Sequence, residues 1–217
     1  MKNNIFAKAA AALLAAAMVI CLFSCSFNKA DYTEEEIFAE CESLIEKSFE
    51  INEIYFGKGL PTTGEAVRSS ENSLVEIETD EENYDIEITS YVVISEEESP
   101  YTTEDEIRAA AAEVYTEDYC EFLNERAFVG IVSADGDTVA YTRFMYDQYG
   151  RLTQRADCEE NSPLTGRTYD YSTMKLEKAL KDEAWIKITS EAEGEALELR
   201  LTLKRENGVW RLDTPTY

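Results

Sequence analysis

Between Leu197 and Lys204 leucine takes every second position: Leu197, Leu199, Leu201 and Leu203 alternate with Glu198, Arg200, Thr202 and Lys204. A period of two puts one apolar row on one face of a strand and a polar row on the other. That arrangement suits an antiparallel sheet with one packed face and one wet face, not the doubly covered strands of a parallel sheet. Neighbouring segments extend the pattern. Met174 to Leu180, Ala184 to Ser190 and Val209 to Leu212 have strand character, and Asn207-Gly208 makes a tight hairpin before the last of them. Upstream, Phe128 to Ser133 and Thr138 to Tyr146 flank Ala134-Asp135-Gly136-Asp137, a hairpin signal because Asp-Gly tolerates positive φ, and Tyr149-Gly150 turns the chain again. Leu74 to Thr79 and Tyr84 to Ser95 alternate well enough for a further strand pair.

Helical signals interrupt the strands at two places. Thr33-Glu34-Glu35-Glu36 is a capping box, and Ile37, Cys41, Leu44, Ile45 and Phe49 then recur at helical spacing until Gly57 stops the helix near Tyr55. Thr103-Glu104-Asp105-Glu106 is a second box, opening a helix through Ile107 and the alanines 109–112. Thr116 looks like the cap of a short helix through Tyr119, Phe122 and Leu123. The expected class is α+β, with an N-terminal helix and a helix pair packed on a long antiparallel sheet, and with residues 34–217 forming one domain.

Composition narrows the chemistry. The chain has 45 Asp and Glu against 20 Lys and Arg, a formal net charge of -25, and no histidine. Without imidazole there is no Ser-His-Asp or Cys-His nucleophile and no His-containing zinc site. Phosphate contacts need clustered cations, so nucleic acid is not an expected partner. The loop Gly57-Lys58-Gly59-Leu60-Pro61-Thr62-Thr63-Gly64 follows a helix and lacks the closing Gly-Lys-Ser/Thr of a phosphate loop, so it is read as an ordered stop. Acidic pairs abound by chance and none stands out as a glycosidase pair. Asp135-Gly136-Asp137 lacks the spacing of a calcium loop. No catalytic residue, metal site or cofactor is expected. Two other groups stand out: Asp135, Gly136 and Asp137 as an acidic hairpin able to meet a partner, and Arg143, Tyr146 and Trp210 as candidates for a ligand pocket between sheet and helices.

Residues 1–24 differ from all that follows. Lys2 and Lys8 precede an apolar run from Ala9 to Phe23, and Leu22-Phe23-Ser24-Cys25 resembles the bacterial lipoprotein signal, where a small residue precedes the cysteine that is lipidated. The alternative is an uncleaved membrane helix over the uncharged residues 9–28. In the lipoprotein reading Cys25 carries the lipid, 25–33 is a short tether, and the acyl chain rather than a basic patch holds the acidic domain at the outer face of the cell membrane. Cys41, Cys120 and Cys158 remain, too few for more than one bridge, and Cys41 and Cys120 suit small buried hydrophobes.

Ile54-Tyr55-Phe56-Gly57-Lys58-Gly59-Leu60-Pro61, the helix pair over 103–119 and the closing Trp210-Arg211-Leu212-Asp213-Thr214-Pro215-Thr216-Tyr217 together resemble the IseA family, bacterial exported inhibitors of peptidoglycan DL-endopeptidases of the NlpC/P60 type. The closing segment also resembles the tails of cystatin-like lipoprotein domains, which would imply a ligand- or peptide-binding module instead. The first resemblance implies a cell-wall hydrolase as partner and inhibition by covering its cleft. It carries no individual inhibitory residue onto this chain.

Overall fold

The computed structural model describes residues 32–67, 90–132, 138–140, 142–160 and 162–217. Cys25, the expected strand 74–79 and the Asp135-Gly136-Asp137 hairpin lie outside them.

Helix α1 spans Glu34–Tyr55. Thr33 Oγ1 accepts the Glu36 amide and the Glu36 carboxylate accepts the Thr33 amide, at 3.2 and 2.8 Å, closing the box read from the sequence. Its apolar stripe, Ile37, Cys41, Leu44, Ile45, Ile51 and Ile54, is buried throughout, and each large aliphatic side chain so placed is worth about 1.5–3 kcal/mol. Helices α2 (Glu104–Ala112) and α3 (Glu117–Asn124) start at the expected caps, Thr103 and Thr116. The chain then continues helically through a π-turn at Glu125–Val129, where extended structure was expected from Phe128. Strand β3 is only Ile131–Val132, pairing with β4 at Thr138–Ala140.

The strands form two antiparallel sheets of four. In the first, β1 (Thr62–Val67), β2 (Tyr91–Ile94), β6 (Leu152–Arg155) and β5 (Phe144–Tyr146) lie in the order β1-β2-β6-β5. In the second, β7 (Thr168–Ala179), β8 (Glu183–Ala192), β9 (Glu195–Glu206) and β10 (Val209–Leu212) form a meander. The architecture is α+β, as expected. The strand content, however, divides among two four-stranded sheets and the two-stranded β3–β4 pair, and the predicted strand over 138–146 breaks before Arg143, one half pairing with β3 and the other joining the first sheet.

Helix α1 packs against β7 and β10, and one apolar cluster runs through both sheets, taking in Ile94, Phe144 and Leu152 from the first and Ile186, Ile188, Leu201, Leu203 and Leu212 from the second. A polar knot sits inside it. Thr216 Oγ1 accepts from Asn52 Nδ2 at 2.9 Å and lies 2.6 Å from Ser48 Oγ and 3.1 Å from the Tyr115 hydroxyl, which donates to Asn52 Oδ1 at 2.8 Å. All four residues are buried. Main-chain bonds from Thr116 N to Leu212 O and from Leu212 N to Val114 O, both 2.9 Å, stitch the end of α2 to β10.

Candidate functional site

The β8–β9 hairpin is longer than the core it covers. Its cross-strand pairs run from Glu183 with Lys204 to Ala192 with Glu195. Glu193 and Gly194 make the turn with φ of 54° and 80°, the left-handed pair that a type I′ hairpin requires. On the inward face Ala184, Ile186, Ile188 and Ser190 are all buried, facing Leu203, Leu201, Leu199 and Leu197. Leu201 and Leu203 are buried and Leu199 is half-buried, but Leu197 is 54% exposed. The leucine row therefore becomes exposed at Leu197, with two cross-strand pairs still to come before the turn. Around that overhang stand Glu191, Glu193, Glu195 and Glu198, all exposed. Glu198 pairs with Lys187 at 3.0 Å, whereas the other three form no ion pair with a described residue.

A second feature lies at the other sheet. A cavity of about 190 Å³ is lined by Tyr55 and Phe56 at the end of α1, Leu123 of α3, Arg126 and Ala127 of the π-turn, Arg143 before β5, and Arg155, Asp157 and Cys158 at and after β6. The wider coil of the π-turn brings Arg126 and Ala127 to its rim, and Ala127 O accepts the Arg143 amide at 2.9 Å. Arg143 Nε donates to Ile54 O at 2.7 Å and its Nη2 donates to Gly57 O, so this guanidinium closes the C-terminal carbonyls of α1. Burial pulls its pKa down. Arg155 grips Asp157 with both prongs, Nε to Oδ1 at 2.8 Å and Nη2 to Oδ2, and that bond raises its pKa. Arg126 lies over the Phe122 ring at 5.0 Å and makes no ion pair with a described residue. Burial raises the Cys158 thiol pKa against the opposing pull of Arg143 and Arg155.

The residues singled out from the sequence scatter. Arg143 lines the cavity. Tyr146 is 43% exposed in the first sheet, its hydroxyl accepting the Glu104 amide at 3.1 Å. Trp210 is buried in the second sheet, edge-on to Tyr32 at 5.5 Å. The three do not share a pocket. Arg126, Arg155 and Cys158 were missed, and their separation along the chain left no local signal that would have joined them to Arg143. Cys41 and Cys120 are buried as expected, and all three described cysteines are free thiols. Burial pushes Cys41 up to about 12 and Cys120 up to about 11. Among the described residues there is no cluster of three or more acidic or cysteine ligands placed to hold a metal ion, and no helix long and apolar enough to cross a membrane.

No family model matches the chain, and no curated protein matches it.

Proposed function

We propose that this chain is an extracytoplasmic lipoprotein, anchored through Cys25, whose domain binds a peptidoglycan DL-endopeptidase of the NlpC/P60 type and inhibits it by covering the active-site cleft. The observation that carries this reading is the overhanging β8–β9 hairpin. Its turn is tight, it is pinned by a long cross-strand ladder with β7 alongside β8 as far as Glu191, and it ends in three glutamates that pair with no described residue, beside an exposed leucine. A projection of that kind enters a cleft with little loss of conformational freedom, because its turn geometry is already set. Leu197 supplies an apolar contact and the glutamates supply charge.

The mechanism needs no chemistry from this chain. A net charge of -25 draws in a basic hydrolase and speeds encounter at low salt. Once the hairpin fills the cleft, the peptide stem is excluded from the hydrolase cysteine. Lipid at Cys25 confines this to the wall nearest the membrane, since residues 25–33 reach about 30 Å at full extension. The alternative of a cystatin-like module with a deep apolar ligand cavity has less support, because the apolar interior of the described residues is filled by the cluster around α1 and both sheets.

The test is turnover of peptidoglycan by such endopeptidases in the presence of a soluble form spanning residues 26–217, at low and raised salt. Dose-dependent, salt-weakened inhibition is expected, reduced about tenfold or more when Glu191, Glu193 and Glu195 are changed to Gln or Leu197 to Ala. The Asp135→Ala, Asp137→Ala double variant asks the same of the hairpin marked from sequence. Full turnover at micromolar excess over several such enzymes refutes the reading.

A further inference from the structure

In a chain with more than two acidic side chains for each basic one, three guanidinium groups meet at one cavity that a single carboxylate lines. Fold maintenance explains part of the cluster. Arg143 spends Nε and Nη2 on the carbonyls that end α1, and Arg155 spends one edge of its fork on Asp157. What remains is Nη1 of Arg143, Nη1 of Arg155 and the whole guanidinium of Arg126, for which the described residues provide no hydrogen-bond acceptor. The lining therefore carries two more positive charges than negative ones. Arg126 is exposed and Arg143 is half-buried, so water meets the free donors, and an anion with two coplanar oxygens replaces that water through charge-assisted bonds.

The remaining walls select among anions. Tyr55, Phe56, Leu123, Ala127 and Cys158 are largely apolar where they face the space, so they offer few donors to the further oxygens of a tetrahedral oxyanion. A carboxylate places both oxygens on the arginine side and leaves an apolar remainder for the other walls. The volume, about 190 Å³, suits one amino-acid residue.

We propose that this cavity binds the carboxylate of a small acylated amino acid, or the same group at the C-terminus of a peptide, through Arg126 and Arg143, with the apolar body against Phe56 and Leu123. The site is separate from the acidic hairpin, so the two readings stand or fall independently.

The experiment is calorimetric titration of the full chain in mild non-ionic detergent with N-acetylalanine, N-acetylalanine amide, acetylated trialanine and inorganic phosphate. N-acetylalanine is expected to bind, with its amide and phosphate each weaker by about tenfold or more. Acetylated trialanine tells the sources apart: binding as tight as N-acetylalanine marks a peptide terminus, and clear loss marks a free small ligand. Arg126→Gln, at a rim position with no described ion pair, is expected to keep the far-ultraviolet spectrum and thermal midpoint while weakening N-acetylalanine about tenfold. Arg143→Lys, which keeps the charge but loses the fork, is the second variant, and ligand is expected to slow alkylation of Cys158. Equal binding of acid and amide, phosphate binding as tight as N-acetylalanine, an unaffected Arg126→Gln chain, or no heat at millimolar ligand each overturn the proposal.

Discussion

Replacing Thr216 with Val tests the polar knot that joins α1 to the closing segment. The magnitude follows from which atom donates to which. The Ser48 hydroxyl donates to Ile45 O at 2.6 Å, so Ser48 Oγ is left to accept the Thr216 hydroxyl proton. The Tyr115 hydroxyl donates to Asn52 Oδ1, so its 3.1 Å contact with Thr216 carries little. Asn52 Nδ2 donates to Thr216 Oγ1. Valine keeps the shape and removes the hydroxyl. Ser48 and Tyr115 keep their own acceptors, and one buried amide hydrogen of Asn52 loses its partner. Counting three lost contacts would overstate the effect. A single orphaned donor costs about 1–3 kcal/mol, or about 2–12 °C in Tm for a domain of this size. Thr216→Ser keeps the hydroxyl and should cost less than Thr216→Val. Asn52→Leu combined with Thr216→Val should cost less than the sum of the two singles, because the orphan disappears with its residue. Urea melts reading the midpoint at constant slope provide the measurement. A Val variant as stable as the parent, or a Ser variant equally damaged, refutes the donor assignment.

Three further outcomes are measurable. Gly59→Ala places a methyl 2.3 Å from Gln154 Oε1 at a φ of +83°, and Gln154 holds the loop by accepting Leu60 N and donating to Leu60 O. A loss of about 1–3 kcal/mol in urea melts is expected. Stability should also fall as pH rises from about 9 towards 11, where the unfolded chain sheds thiol protons that Cys41 and Cys120 keep when folded, so the unfolded state binds fewer protons. The Cys41→Ala, Cys120→Ala pair should flatten that slope in urea midpoints taken across the range. Finally, Cys25→Ser should abolish incorporation of labelled fatty acid and release the domain from the membrane fraction in a bacterial host; persistent acylation would refute lipidation there.

Local rules were legible wherever a few adjacent residues decide the outcome. Thr33 and Thr103 with glutamate three residues on, Thr116 before Tyr119, and Asn207-Gly208 with φ of 51° and 85° all behave as their side chains dictate. What failed depended on partners far along the chain. Thr62 to Gly64 read as the end of the loop after α1, yet Thr62–Val67 is a strand because β2 pairs with it. Leu152–Arg155 is a strand because β2 and β5 flank it. Phe128 and Val129 have β propensity, yet α3 runs on through them as a π-turn that sets Arg126 and Ala127 against Arg143. The leucine row of β9 was read as one buried face. Only the position of the core edge separates Leu201 from Leu197. Both candidate sites belong to that second kind of information.

The knot at Thr216 also bears on timing. Ser48 and Thr216 are 168 residues apart, so the interior of the first helix is completed by residues far along the chain. Until that segment docks, Asn52 lacks its acceptor and α1 lacks the strand that packs against it. A contact so long-ranged forms late and slowly. Docking of the closing segment and burial of the Ser48 and Asn52 face of α1 are therefore a single event.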